Sequence, residues 1–350
     1  MASRIAVGLI GYGLAGQAFH APLIAATPGL RLASIVTSDS ARAASARTRY
    51  PDTDVVDSVD RLWRARPDLV VIATTNVSHA PLALAAIARG VAVVVDKPLA
   101  LSPDQAVELI AAAQAAAVPL TVFQNRRWDG DFLTVADLME FDAFGEVSRF
   151  ESRFERFRPT PKGGWRERIS PQEGGGILFD LGSHIIDQAV TLFGPVMDVY
   201  AEVDTTRTDA ETDDDVFVAL NHANGVRSHL FASATAADLG PRFRVLGTRA
   251  GYHVYGMDVQ EAALRSAAVP GLNWGAYPES AWGVLTDAYT SRAVPTRNGD
   301  YPAFYAQLAD ALQHGSALPV DPADAVTTLR IIEAARQSST TRTVVHLDAT

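Results

Sequence analysis

A chain of 350 residues is too long for a peptide or a disulfide-stapled miniprotein, and at about 150 residues per domain it predicts two domains. With 48% hydrophobic and 20% charged residues it has a globular balance, which excludes a disordered chain. Forty acidic residues against 30 basic ones give a net charge of -10; this argues against nucleic acid as a partner, because phosphate binding needs a basic face, but leaves room for a local basic pocket.

There is no cysteine, which excludes disulfides, thiolate nucleophiles, zinc fingers and iron–sulfur clusters. The apolar N-terminus, MASRIAVGLIGYGLAG, is interrupted by glycines and a tyrosine and reads poorly as a signal peptide. No apolar run reaches the roughly 18 residues of a membrane span, so no membrane partner and a cytoplasmic location are expected. Of the 30 basic residues, 28 are arginine; the two lysines are Lys97 and Lys162. Lysine can release a proton in a protein and arginine cannot, so a lysine at an apolar strand end suggests a titratable amine.

Up to about residue 125, strands alternate with helices. Arg4 to Ile10 reads as a buried strand, followed by a glycine-rich turn and a helix to about Ala26. Arg31 to Thr37 is the next strand and Ser40 to Arg49 the next helix. Leu69 to Ala73 is a strand, Ser78 to Ala88 a helix stopped near Gly90, and Val91 to Val95 a strand buried on both faces. Ser102 caps a helix to Ala117 with Pro103 at its first position, and Leu120 to Phe123 closes the series. Such alternation predicts a doubly wound parallel sheet in a Rossmann domain over residues 1–123.

Beyond Trp128 the pattern changes. Helices are predicted at Phe132 to Phe141, Ile177 to Phe193, Pro302 to Gln313 and Pro322 to Ser338. Strands are predicted at Glu146 to Arg158, Val196 to Val203, Asp215 to Leu220, Gly225 to Phe231, Arg242 to Leu246 and Tyr252 to Tyr255. Pro270 to Tyr301 reads as loop. Runs of strands without helices between them imply a mainly antiparallel sheet in an α+β domain over residues 124–350.

Gly11-Tyr12-Gly13-Leu14-Ala15-Gly16 is G-x-G-x-x-G between a predicted strand and helix. Its glycines permit a tight turn and close approach of a pyrophosphate, and the helix start adds N–H groups and partial positive charge. Gly11, Gly13, Leu14, Ala15 and Gly16 are therefore cofactor candidates. At the second strand end stand Thr37, Ser38 and Asp39. If Ser38 is the selecting position, no carboxylate faces the ribose 2′ position; one about 4 Å from a 2′-phosphate would cost on the order of 4 kcal/mol per charge pair. With Thr37, Ser38 and Arg42 there, the expectation is NADP; the alternative is Asp39 as ribose ligand, and NAD. Asn76 and His79, after the fourth strand, would border the cofactor.

Lys97, with Asp96 before it and Pro98 after, stands at the C-terminal end of a buried strand, where parallel sheets place ligands. The bland alternative is a lysine snorkelling off the strand. Asp180 and His184 are four apart, so a helix puts them on one face, where a carboxylate can orient an imidazole; they are equally readable as a surface pair. Asp187 is one turn further. Gly182 inside that helix costs about 1 kcal/mol against alanine and wants a reason. Arg126, Arg127 and Trp128, with Trp165 and Arg166, could bind a polyhydroxylated substrate or simply pack. Asp213 to Asp215 reads as a solvated turn, and no metal-ligand spacing, HExxH, G-x-S-x-G or Walker pattern occurs.

In order and spacing, Gly11 to Gly16, Asp96-Lys97-Pro98 and the pair Asp180 and His184 resemble the glucose–fructose oxidoreductase, inositol dehydrogenase and rhizopine catabolism (Gfo/Idh/MocA) family, over essentially the whole chain. One departure is Asp96, where that family usually has glutamate. Phe123 to Asp129, Glu151 to Phe154 and Gly164 to Arg166 look like its NADP-dependent scyllo-inositol dehydrogenases. The resemblance implies hydride transfer between nicotinamide C4 and a cyclic polyol or sugar. It implies that His184 accepts the hydroxyl proton, that Lys97 hydrogen-bonds the same oxygen, and that Asp180 binds substrate and tunes His184. The resemblance also implies that the sheet of residues 124–350 is open, that this domain binds substrate, and that it joins copies into a homodimer or homotetramer. Alternatives are an aldose or keto-sugar dehydrogenase, a nicotinamide-dependent glycosidase, and a non-catalytic nucleotide-binding sensor.

Overall fold

A computed structural model describes residues 4–164 and 167–347. The chain forms two compact units. The first takes residues up to Trp128 and adds Val259–Trp274 and Asp300–Val326; the second takes Asp129–Asp258, Gly275–Gly299 and the chain from Thr327.

The first unit is a six-stranded parallel sheet. Its strands are β1 (Ile5–Ile10), β2 (Leu30–Val36), β3 (Asp54–Val56), β4 (Leu69–Ile72), β5 (Ala92–Asp96) and β6 (Leu120–Phe123). Their order is β3-β2-β1-β4-β5-β6, so the chain reverses its winding direction beside β1. Ligands bind such sheets at that switch point, outside the strand C-termini. Val70, Val71, Ile72, Val94 and Val95 are fully buried. Burying each such side chain contributes about 1.5–3 kcal/mol, so β4 and β5 are a rigid base for whatever follows them.

Between the strands run α1 (Ala21–Ala26), α2 (Ser40–Arg49), α3 (Val59–Arg64), α4 (His79–Ile87) and α5 (Pro103–Ala115). β3 and α3 lie in a stretch for which the sequence predicts no element. β3 is only three residues at the sheet edge, too short for a period to show.

Two stretches beyond residue 123 cluster with this unit because their side chains finish its core. Gln260 donates from Nε2 to the Trp128 carbonyl (3.0 Å) and accepts the Tyr301 N–H on Oε1 (2.7 Å). The Thr121 hydroxyl donates to the Val320 carbonyl at 2.7 Å. Phe304 and Tyr305 pack on Phe123, with ring centroids 4.9 and 5.8 Å away.

The second unit is a nine-stranded mixed sheet, ordered β14-β13-β12-β11-β7-β10-β9-β8-β15. Its strands are β7 (Val147–Glu155), β8 (Val196–Asp204), β9 (Asp215–His222), β10 (Arg227–Ser233), β11 (Phe243–Gly247), β12 (Ala250–Val254), β13 (Gly283–Asp287), β14 (Ser291–Val294) and β15 (Val345–His346). β7 and β10 pair in parallel, and the other described neighbours are antiparallel. α6 (Gly130–Glu140), α7 (Ser183–Phe193) and the part of α10 (Pro322–Thr341) from Thr327 belong to this unit. Phe150 and Phe154 of β7 point to the core, two rows apart, as a strand requires. The hairpin β13–β14 corrects the expected loop at Pro270 to Tyr301: an exposed edge hairpin between Gly- and Pro-rich flanks carries no apolar alternation. Among the described residues, no helix is long and apolar enough to cross a membrane.

Candidate active site

The glycine turn follows β1 at the switch point. Gly11 has φ +100°, and a Cβ there would collide with the Ala73 carbonyl after β4. Its N–H donates to the Val36 carbonyl at 3.1 Å, so the turn is wedged between β2 and β4. A Cβ on Gly16 would strike the Gly11 carbonyl. These two glycines are explained by the chain's own packing. Gly13 is not: the nearest atom to a Cβ there is Arg42 Nη1 at 3.8 Å, an ordinary contact. The chain leaves an open cradle at Gly13, bordered by a guanidinium, and a pyrophosphate fits it. Leu14 beside it is half exposed. A π-turn at Gly16–His20 then leads into α1.

At the end of β2, Thr37 is half-buried and Ser38 exposed. Asp39 caps α2: its Oδ1 accepts the Arg42 N–H at 2.9 Å, and its Oδ2 lies 3.9 Å from Arg42 Nε. The Asp39 carboxylate is thus engaged at the start of α2. After β4, Asn76 and His79 are buried. His79 Nδ1 is 2.7 Å from the Pro98 carbonyl; a carbonyl only accepts, so Nδ1 carries the proton. His79 therefore ties the loop after β4 to the one after β5.

Asp96 and Lys97 end β5 and are half-buried. Asp96 Oδ1 accepts the Lys97 N–H at 2.9 Å. Burial works against the Asp96 carboxylate, but the proximity of His20, with His79 and Lys97, outweighs it and holds Asp96 below the ordinary carboxylate range. His20 and Tyr305, fully buried, are neighbours that the sequence reading did not single out.

The arginine–tryptophan segment is packed within the first unit. Arg126 Nη2 pairs with Glu261 at 2.5 Å, and Arg126 Nη1 donates to the Tyr301 hydroxyl at 3.4 Å. Arg127 pairs with Asp324 at 2.9 Å, and Trp128 stands edge-on to Phe304. All three side chains thus have partners within the unit. Trp165 and Arg166 lie outside the described residues.

In the second unit, Asp180 and His184 stand on a helix whose first turn, Leu178–Gly182, is a π-turn running into α7. Asp180 is half-buried and His184 buried. The wider π-turn offsets the simple i, i+4 stacking expected of a straight α-helix. Gly182 keeps helical angles, and a Cβ there would press on Leu178 Cδ1 at 3.0 Å, so close packing is its reason.

Asp213 holds the start of this helix. Its Oδ2 accepts the Leu178 N–H at 2.7 Å and its carbonyl the Ile177 N–H at 2.9 Å. Gly176, with φ +91°, leaves the space that the carboxylate fills. Asp214 is also buried, accepting from Thr206 N (2.7 Å) and Arg207 Nε (2.8 Å). Asp213 and Asp214 are therefore structural; the solvated-turn reading fails because the Asp213 carboxylate's partner, Leu178, lies 35 residues before it and those of Asp214, Thr206 and Arg207, in a preceding turn that gives no apolar signal.

Further along α7, Gln188 accepts from Arg242 Nη2 at 2.8 Å; Arg242 also donates to Ser152 (2.7 Å) and lies 4.1 Å over the Phe243 ring. Arg156 went unnoticed in the sequence. Burial, then the like charge of Arg158, push its guanidinium down, and Asp180 and Glu167 push it back up. Arg156 is thus a cation within electrostatic reach of Asp180. Among the described residues no three His, Asp or Glu side chains gather as metal ligands.

Comparison with known proteins agrees with this architecture. Residues 5–124 match the NAD-binding Rossmann fold of the oxidoreductase family, and residues 137–347 its C-terminal alpha/beta domain. The chain is 39% identical to the uncharacterized oxidoreductase YdgJ of Escherichia coli (strain K12), covering 99% of this chain and 100% of that one. It is 33% identical to scyllo-inositol 2-dehydrogenase (NADP(+)) IolW of Bacillus subtilis (strain 168), covering 98% and 96%. The solved structure of yvaA from Bacillus subtilis superposes with a TM-score of 0.93 at 32% identity, over 99% of this chain and 100% of that one. A parallel sheet with a glycine cradle at its switch point, a mixed nine-stranded sheet after it, and matches over both parts place the chain in the Gfo/Idh/MocA family of oxidoreductases.

Proposed function

We propose that the chain is an NADP-preferring dehydrogenase or reductase acting on a cyclic polyol or sugar, of the scyllo-inositol dehydrogenase type. The observation that carries the cofactor preference is the Arg42 guanidinium beside the Gly13 turn, while Asp39 is engaged as the α2 cap. A guanidinium there answers a 2′-phosphate, and Ser38 adds no opposing charge. The relative named as an NADP(+)-dependent scyllo-inositol dehydrogenase supports both cofactor and substrate class. A nicotinamide cofactor held by the glycine turn would supply the hydride acceptor or donor.

The rest is the work of this chain. His184 takes the hydroxyl proton in the oxidative direction and returns it in the reductive one. Asp180 binds substrate hydroxyls and orients His184. The Lys97 ammonium hydrogen-bonds the reacting oxygen and eases the proton transfer. Gly11, Gly13, Leu14, Ala15 and Gly16 cradle the pyrophosphate, and Thr37, Ser38 and Arg42 the adenosine ribose. Asn76, His79 and Asp96 border the nicotinamide side. Arg126, Arg127 and Trp128 help shape the substrate wall, with Arg126 held by Glu261. The open sheet joins copies into a homodimer or homotetramer.

The test is initial rates with NADP and NAD against inositols, aldoses and keto-sugars. Turnover of scyllo-inositol, or its ketone, with NADP(H) is expected. Lys97→Ala and His184→Ala should each lose about 10²–10⁴-fold in rate with unfolding temperatures unchanged. Full activity in both variants would refute the assignment.

A further inference from the structure

Behind Lys97 lies a buried polar chain that no step above uses. His20 leaves the π-turn at Gly16–His20, downstream of the glycine cradle, and is fully buried. Its Nδ1 is 2.6 Å from the Tyr305 hydroxyl, contributed by α9 (Tyr301–His314). Its Nε2 faces Asp96 Oδ1 at 3.8 Å, and the same oxygen accepts the Lys97 N–H at 2.9 Å. The His20 ring packs on Phe123 with centroids 4.5 Å apart. Side chains from the π-turn and α9 thus stand in line behind one carboxylate at the end of β5.

The chemistry of these groups sets the direction of the chain. A carboxylate only accepts, so it favours the His20 tautomer with the proton on Nε2, the nitrogen that faces it. In the neutral ring Nδ1 is then an acceptor, and the partner at 2.6 Å must donate. Tyr305 can do so: burial, then the charge of Asp96, push its hydroxyl well above its ordinary value and keep it protonated. Tyr305 thereby fixes which His20 nitrogen holds the proton. The gap of 3.8 Å to Asp96 is too long for a hydrogen bond, yet at this depth an N–H dipole still steadies a carboxylate.

We propose that His20, braced by Tyr305, is a positioning residue for the Asp96–Lys97 pair: it fixes the Asp96 carboxylate at the strand end and through it the setting of the Lys97 amine. This rests on the reading of Lys97 as a site residue. The groups facing Asp96 are His20 from the π-turn, His79 from α4, Tyr305 from α9 and Lys97 beside it. Of these, His20 stands 3.8 Å from the carboxylate with its ring fully buried. Without it the buried carboxylate is readily neutralised, and Lys97 loses a counter-charge.

The chain offers a direct test, because it holds only two lysines and Lys162 is exposed. A brief pulse of acetic anhydride on the free protein, read by peptide mass spectrometry, gives the acetylation of Lys97 relative to Lys162. His20→Phe should raise that ratio by about threefold or more near neutral pH, as expected when a nearby charge partner is weakened. Tyr305→Phe, which keeps the ring, should move it in the same direction and carries the test if His20→Phe does not fold. His20→Gln places an amide near the Nε2 position and should stay within about twofold of the parent. An unchanged ratio in the Phe variants, or a Gln variant as altered as His20→Phe, would overturn the proposal and reduce His20 to packing. The ratio needs no turnover, so it is independent of the activity of Lys97→Ala: an active Lys97→Ala overturns the assignment of Lys97, while an unmoved ratio overturns only the role of His20.

Discussion

Gly11 and Gly13 stand two residues apart in one turn, and the structure assigns them opposite reasons. Alanine at 11 must take φ +100° and drive its methyl into the Ala73 carbonyl. A left-handed angle costs roughly 1–2 kcal/mol outside glycine, and overpacking about 1–3 kcal/mol more. Gly11→Ala should therefore lose about 2–5 kcal/mol of stability. Alanine at 13 meets nothing closer than Arg42 Nη1 at 3.8 Å. That substitution should be neutral, or stabilise by about 0.4–1 kcal/mol by narrowing the unfolded ensemble. Its methyl instead enters the cradle. If a pyrophosphate lies against Gly13, overpacking of about 1–3 kcal/mol weakens NADPH roughly 5–150-fold. Thermal unfolding measures the first effect and titration of NADPH fluorescence the second. Saturating NADPH should raise the unfolding temperature of the parent far more than that of Gly13→Ala, since the gain follows ligand concentration over Kd. A Gly13→Ala protein that binds NADPH as the parent does would refute the cradle. One destabilised as much as Gly11→Ala would refute the packing analysis.

Three further outcomes are expected. Ser38→Asp should weaken NADP more than NAD, read as the ratio of their Kd values; an unchanged ratio means that another residue selects the cofactor. Asp213→Ala leaves the buried Leu178 N–H without its acceptor and should cost about 1–3 kcal/mol in chemical denaturation, with Asp213→Asn recovering part of it; an unaltered midpoint would remove Asp213 as the helix holder. For Asp214, burial raises the carboxylate, but N–H groups of Thr206 and the Arg207 guanidinium outweigh it and hold it below its ordinary value. Its stabilisation is therefore full above about pH 4 and lost as pH falls through the depressed value, so Asp214→Asn should unfold at lower temperature at pH 7 and show a shallower acid limb. Parallel pH profiles for parent and variant would contradict this.

What could be read in the sequence was whatever its neighbours in sequence determine. α2 is found over the predicted Ser40–Arg49, and β6 where Leu120, Val122 and Phe123 stand between turns. The glycine turn and the Asp180–His184 helix are likewise local patterns. β13 and β14 escaped because an exposed edge hairpin needs no apolar alternation: its strands are mostly solvent-facing. His20 and Tyr305 escaped for a different reason. They are 285 residues apart, and only the fold of the first unit makes them partners. The same holds for Asp213 and Leu178, 35 residues apart across a stretch with no repeating pattern.

That last pair bears on how the second unit holds its chemistry. A helix start leaves N–H groups without intrahelical partners, and burying them unpaired is costly. Here the start is buried, at Ile177 and Leu178, and the chain uses one residue to answer both donors. The answer is possible only because Gly176 has no side chain where the Asp213 carboxylate stands. Two residues later the helix opens into a π-turn, a geometry frequent at functional sites. At its other side Gln188 is held by Arg242, which is itself held by Ser152 and the Phe243 ring. Asp180 and His184 therefore sit between two buried anchors rather than on a mobile loop. The proton-transfer role proposed for His184 needs placement to within a fraction of an ångström, and anchors on both sides of the turn are what such placement requires.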